Sequence, residues 1–153
     1  MIIRKYINLF LICIFLSGCG YSPMFVNFDN PNFAINITKT SGIRKINNLI
    51  LSNLISYTQR ETDNKFNISF NSEYIKNIIA KDSTGSATEY KITINTIFTI
   101  ESSKFNGDIK FSESFNMQSM SSKLDENDYE ENIQTNLTNT ITRKLILQLS
   151  QLK

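Results

Sequence analysis

Few side chains in this 153-residue chain could do chemistry, and Cys19 has the strongest case among them. There is no histidine and no tryptophan, and the only other cysteine is Cys13. Without histidine the sequence has neither the usual general base near neutral pH nor a Ser–His or Cys–His nucleophile pair, and a Cys/His zinc set is equally excluded. No G-x-S-x-G elbow, P-loop or dinucleotide fingerprint occurs. Among the carboxylates, Glu113 alone is expected near an apolar face, where a lone glutamate is ordinarily half-solvated. The expectation is a protein that is not an enzyme and has no cofactor and no metal. What remains is one thiol with three conceivable fates: buried hydrophobe, disulfide partner or attachment point.

Its surroundings decide between them. The chain opens Met1-Ile2-Ile3-Arg4-Lys5 and runs from Leu9 to Leu16 without a polar residue, a basic stretch followed by a short apolar one, as in an export signal. A membrane-spanning helix needs about 20 apolar residues, and this run stops short of that at Ser17-Gly18. Leu16, Ser17 and Gly18 followed by Cys19 resemble the bacterial lipobox, in which the thiol is acylated and the cysteine becomes the new amino terminus. Cys13 would leave with the signal, so Cys19 would have no partner for an intramolecular disulfide. An ordinary signal peptide or an uncleaved anchor is the alternative. Several acyl chains on Cys19 would hold the protein stably to a bilayer, where one chain holds it marginally. Gly20 follows the cysteine, and in lipoproteins generally a residue other than Asp there favours the outer membrane.

The expected organisation is a signal peptide over 1–18, a lipidated terminus and extended lead over 19–32, and one domain over 33–153. Loss of Arg4 and Lys5 leaves fourteen basic against fourteen acidic side chains, so nothing suggests a nucleic-acid partner. Residues 20–32 carry both prolines and no sustained period. Phe33, Ile35 and Ile37 then alternate with Ala34, Asn36 and Thr38 as a short strand, and Thr40-Ser41-Gly42 interrupt it and offer hydroxyl caps. Ile43, Ile46, Leu49, Ile50, Leu54 and Tyr57 recur at steps of three and four, one stripe of an amphipathic helix. Phe66, Ile68 and Phe70 start a long strand that reaches Ile79 less regularly, and Asp82 to Gly85 turn the chain. In the next strand Tyr90, Ile92, Ile94, Phe98 and Ile100 share a face, with Thr96 and Ile97 breaking the pattern.

Asn106-Gly107 is the dipeptide most typical of a type I′ hairpin turn, which needs positive φ twice. With that turn, Phe98 faces Phe115, Thr96 faces Met117, Ser102 faces Phe111, and Glu113 lies opposite Ile100 at a bulge or a wet margin. Tyr129, Ile133, Leu137, Ile141, Leu145 and Leu149, at steps of four, mark a last helix. Its acidic start (Asp125, Glu126, Asp128, Glu130, Glu131) reads as a solvated end that complements the helix dipole, and it lacks calcium-loop spacing. The predicted fold is α+β, a two-layer sandwich in order β-α-β-β-β-α, with both helices on one face of a four-stranded, mostly antiparallel sheet and a Thr-, Asn-, Ser- and Lys-rich face left wet.

A lipobox followed by Cys19-Gly20-Tyr21-Ser22-Pro23-Met24-Phe25 and then this order of elements resembles LptE, the lipopolysaccharide-assembly lipoprotein of Gram-negative outer membranes. Ser114, Phe115 and Asn116, before the acid-rich last helix, resemble the end of that family's fourth strand, and phenylalanine stands at 25 and 115 where tyrosine is common. The resemblance implies a non-enzymatic partner and plug of the LptD β-barrel that binds lipopolysaccharide. Anionic lipid A phosphates would favour cations, and Lys81, Lys91, Lys104 and Lys110 are candidates by position. The alternative is an auxiliary lipoprotein adaptor of another envelope lipid or polymer transport system.

Overall fold

A computed structural model describes residues 33–152. The lipobox residues Leu16, Ser17, Gly18 and Cys19, and the lead after them, lie outside the described residues. Six elements follow in the expected order: β1 (Ala34–Gly42), α1 (Arg44–Thr58), β2 (Lys65–Lys81), β3 (Ala87–Glu101), β4 (Asn106–Gln118) and α2 (Lys123–Gln151). The sheet has spatial order β1-β2-β3-β4, with β1 parallel to β2 and the other pairs antiparallel. Both helices pack on one side of it, so the two-layer α+β fold is the one expected.

β1 runs through Thr40-Ser41 to Gly42, and those hydroxyls do not cap α1, whose N-cap is Ile43 without a side-chain bond. The helix start is set instead by Gly42. Its φ is +91°, a left-handed conformation that favours glycine, and a Cβ there would lie 1.9 Å from the Ser72 carbonyl oxygen. Asn47 Nδ2 donates back to the Ser41 carbonyl at 3.0 Å, and the Ser72 hydroxyl reaches Asn47 Oδ1 at 2.6 Å. These contacts fasten α1 to β2 at the point where β1 ends.

The β3–β4 register corrects the hairpin expectation. Phe98 pairs with Ile109 rather than Phe115, Thr96 with Phe111, and Ile94 with Glu113, a shift of six residues along β4. Asn106 and Gly107 belong to β4, and Gly107 is not among the positive-φ glycines. The turn is Ser102–Phe105. The Ser102 hydroxyl accepts from Lys104 N–H (3.3 Å) and Phe105 N–H (3.0 Å), Ser102 N–H donates to the Phe105 carbonyl (2.9 Å), and Phe105 packs against the core. A hydroxyl-closed turn that also packs a half-buried aromatic ring against the core outcompetes Asn-Gly.

The pairing defines six helix-facing rows. From the end where Phe33 enters they are Ile68–Ile100–Gly107, Phe70–Phe98–Ile109, Ser72–Thr96–Phe111, Tyr74–Ile94–Glu113, Lys76–Ile92–Phe115 and Ile78–Tyr90–Met117. The alternation in β3 is unbroken, because Thr96 is buried and Ile97 exposed. The main core gathers Phe33, Phe66, Phe70 and Phe98 with the stripes of both helices, including Ile46, Ile50, Leu54, Ile141, Leu145 and Leu149. Each such side chain contributes about 1.5–3 kcal/mol. β1 ends and α1 begins level with Ser72. Beyond that level β2–β3–β4 continue as a three-stranded ribbon covered by the first half of α2, around a small second cluster of Ile92, Met117 and Ile133.

Candidate functional site

Two surfaces differ sharply from an ordinary mixed exterior. The first is the sheet face away from the helices. Its rows read Ser69–Thr99–Asp108, Asn71–Ile97–Lys110, Glu73–Asn95–Ser112, Ile75–Thr93–Ser114 and Asn77–Lys91–Asn116, with no aromatic residue in any of them. Short polar groups are joined across strands: Asn95 Nδ2 donates to Glu73 at 2.9 Å, the Ser112 hydroxyl to Asn95 at 2.7 Å, and the Thr99 hydroxyl to Asp108 at 2.7 Å. On β1, Asn36 donates to Asn67 (2.9 Å) and the Ser41 hydroxyl to Asn71 (3.0 Å). Such a face offers mainly directional hydrogen bonds, with Ile75 and Ile97 the only apolar side chains in these rows.

The second is the distal tip, the end away from Phe33, formed by the Asp82–Ser86 turn, the last residues of β2 and β4 and the start of α2. Ser119 N–H donates to the Thr88 carbonyl at 2.9 Å and so brings the α2 entry to this end. Ile78, Ile79, Phe115, Met120, Leu124 and Tyr129 are all exposed here, Leu124 by 73%. Phe115 and Tyr129 meet edge to face at 6.3 Å. Scattered exposed apolar residues need no explanation, but six of the nine large exposed ones among the described residues lie at this end, the others being Ile43, Ile55 and Ile97. Ile78 is left open because α1 begins well below it.

Under the tip the α2 start is held by charge. Lys76 stands on the helix-facing side of β2 and donates to Glu130 Oε2 at 2.6 Å, with its ammonium 4.2 Å from the centre of the Tyr90 ring. The Tyr74 hydroxyl donates to the other Glu130 oxygen. Glu126, only 2% exposed, accepts from Lys123 at 2.5 Å through Oε1 and from Met120 N–H at 3.2 Å and the Ser119 hydroxyl at 3.3 Å through Oε2. Lys76 lies 3.7 Å from that same Oε1. The Lys123 hydrogen bond, followed by that from Met120, draws the Glu126 carboxyl down from 4.5 to about 2. At Glu130 burial pushes upward, and the hydrogen bonds from Lys76 and Tyr74 outweigh it, so its pKa also falls. Burial, then the Glu130 contact, raises that of Tyr74.

The acidic helix start is therefore not uniformly solvated: Asp125 and Asp128 are exposed, while Glu126 is buried as the fixed partner of Lys123. Glu113 is likewise not a bulge, since β3–β4 pairing is regular there and its carboxylate meets Lys144 of α2. The candidate lysines are dispersed. Lys81 ends β2 at the tip, Lys91 and Lys110 lie on the polar face six β3 positions apart, and Lys104 sits in the turn at the opposite end. Sequence reasoning did not single out Lys123 or the exposed Ile78 and Leu124. The available signal was Lys76, a cation on the apolar side of β2 that requires carboxylates above it. Among the described residues, no group of three or more Cys, Asp or Glu side chains is arranged to hold a metal ion, and no helix is long and apolar enough to cross a membrane.

No protein-family model and no curated protein matches the sequence. Solved structures do match the fold. Rare lipoprotein B from Shewanella oneidensis is similar at a TM-score of 0.56 and 12% identity, over 74% of this chain and 92% of that one. Uncharacterized lipoprotein B from Nitrosomonas europaea is similar at 0.53 and 10%, over 80% and 87%. The minor lipoprotein from Acinetobacter baumannii is similar at 0.51 and 13%, over 74% and 92%. The strand–helix–three-strand–helix body described above is thus a fold that this chain shares with solved lipoprotein structures, rare lipoprotein B among them.

Proposed function

We propose that the chain is an outer-membrane lipoprotein of the LptE type, anchored through acylated Cys19 on the periplasmic side, which partners an LptD-like β-barrel and handles lipopolysaccharide without catalysing a reaction. The observation that carries this reading is the division of the surface on a lipoprotein fold: a hydrogen-bonding face free of aromatic residues, and a tip where exposed apolar side chains stand beside lysines. A polar face with cross-strand amides and hydroxyls suits the hydrated lumen wall of a large barrel. The tip suits an anionic amphiphile. Acyl chains would lie against Ile78, Met120 and Leu124, and phosphates near Lys81 and Lys123, whose ammonium groups make strong charge-assisted bonds to phosphate.

The test is extraction of the acylated protein from native membranes in mild detergent, with every co-purifying species identified by mass. A large outer-membrane barrel and lipopolysaccharide are expected. Recovery of inner-membrane transport subunits alone would replace this reading with that of an envelope-transport adaptor, and an unmodified Cys19 thiol would overturn it.

A further inference from the structure

The ion pair between Lys123 and Glu126 is unequal in a way that bears on binding. The Lys123 side chain is 71% exposed, whereas that of its partner is 3% exposed and fixed from behind by Met120 N–H and the Ser119 hydroxyl. Solvent, or a ligand, reaches the ammonium without any movement of α2. The two contacts behind the carboxylate use Oε2, so Oε1 is the oxygen shared by the two lysines, Lys123 at 2.5 Å and Lys76 at 3.7 Å. Lys76 is therefore already placed to take over that oxygen if Lys123 turns away. Its hydrogen bond to Glu130 at 2.6 Å uses one of three ammonium donors, and the Tyr90 ring 4.2 Å away accepts the charge on its face.

We propose that Glu126 is a built-in competitor for the tip's cation: its carboxylate occupies Lys123, an incoming phosphate group must draw the ammonium away from it, and Lys76 closes in on the freed oxygen. This rests on the reading of the tip as a contact for anionic lipid. A doubly charged phosphate outcompetes a single carboxylate for one ammonium, but by less than it would gain from a lysine with no internal partner. The consequence is affinity held below its ceiling. A carrier must bind firmly enough to capture its cargo and weakly enough to pass it on, and an internal carboxylate supplies that limit without reshaping the surface.

The experiment uses the full acylated chain in detergent with two probes, purified lipopolysaccharide and the same material after removal of its phosphates. Glu126→Gln is expected to bind the phosphorylated probe about five-fold more tightly, with the gain shrinking as salt rises, and to bind the dephosphorylated probe unchanged. Lys123→Gln is expected to weaken binding of the phosphorylated probe, and the double variant to match Lys123→Gln with no gain from the second change. If Glu126→Gln leaves affinity unaltered while Lys123→Gln lowers it, the competitor is wrong and the tip reading survives. If Lys123→Gln, Lys81→Gln and Leu124→Ser all leave binding unaltered, the tip reading fails and the competitor falls with it. Should Glu126→Gln fold poorly, the wild-type protein still decides. Its Glu126 carboxyl carbon resonance is expected to move on adding the phosphorylated probe, and a resonance unmoved at saturation overturns the exchange.

Discussion

The two halves of the helix-facing layer are held by opposite physics. Toward the end where Phe33 enters, aromatic rings meet edge to face or tilted, Phe33 with Phe66 at 5.5 Å, Phe70 with Phe98 at 5.5 Å and Phe98 with Phe111 at 6.1 Å, and both helices seal them. Toward the tip the same layer is closed by Lys76, Glu126, Glu130 and Lys123 over a small cluster of Ile92, Met117 and Ile133. Apolar burial is non-directional, carries no charge to titrate, and is not weakened by salt screening. Ion pairs are directional, costly to bring out of water and sensitive to both. The contrast goes with the gathering at the tip of six of the nine exposed large apolar side chains among the described residues, the other three being Ile43, Ile55 and Ile97. Charges turned inward secure α2 there, and apolar side chains that could have formed a core stand exposed instead.

The apolar half should fail globally. Phe98→Ala is predicted to cost about 4 kcal/mol, because a ring with no exposed surface leaves a cavity between β2, β4 and the helices. Chemical denaturation followed by circular dichroism measures it. A cost under about 1 kcal/mol would mean that the phenylalanine cluster is not the centre of stability.

The ionic half should fail locally. Lys76→Met is predicted to cost about 3 kcal/mol, since it strips Glu130 of its cation and removes the second cation near Glu126. The damage should appear in hydrogen exchange as faster opening of the first turns of α2, with Leu54 and Leu145 still protected. Adding Glu130→Gln to that variant should recover part of the loss, because the unpaired charge and not the missing attraction is the larger cost. Uniform loss of protection over the whole chain would show that the two halves are one cooperative unit.

Much of this comparison was legible in the sequence, but not all, and the reasons are specific. The alternation in β3 and β4 gave the right faces together with the wrong register. The true pairing differs from the Asn-Gly pairing by six residues, and any even shift keeps every side chain on its face. Period two fixes parity, and only the turn fixes alignment. The hydroxyl of Ser102 and the packing of half-buried Phe105 on the core settled the turn against the stronger dipeptide signal. The helix stripe read at steps of four located Ile133, Ile141, Leu145 and Leu149 correctly, but Tyr129, one step earlier, is exposed, and Glu126 and Glu130 point to the sheet instead. Apolar periodicity is blind to a carboxylate that is buried because a lysine lies beneath it. The polar face was legible in the strands, whereas the tip was not, since it arises from where α1 begins relative to the end of β2.

Acid sharpens the contrast more gently than mutation. Because the Glu126 carboxyl is drawn down to about 2 in the folded state, its stabilisation is complete above the ordinary value of 4.5 and is lost as pH falls from there toward 2. Glu130, shifted in the same direction, adds to the decline. Stability measured against pH should therefore be level near neutrality and fall across that acid window, and Glu126→Gln should flatten the fall. A wild-type profile that keeps its value down to pH 2 would show that the carboxylates under the tip do not stabilise the fold.

The smallest effect lies at the boundary between the halves. Thr96 pairs with Ser72 and Phe111 across the sheet, is 1% exposed, and its hydroxyl is the one buried side-chain polar atom without a hydrogen-bond partner among the described residues. Its neighbour Ser72 is satisfied by Asn47, so the two hydroxyls of this row are not equivalent. Desolvating a hydroxyl that gains no bond is a net cost, so Thr96→Val, which keeps the branched shape, is predicted to raise stability by about 1 kcal/mol. If the same substitution lowers stability, the hydroxyl has a partner in solution, and the row of Ser72 and Thr96 is a polar belt joining the halves instead of a gap between them. Thermal unfolding of the single variant, and of Thr96→Val combined with Lys76→Met, separates these outcomes. Additive effects mean that the belt is passive, and a coupled loss means that the apolar half senses the ionic one through it.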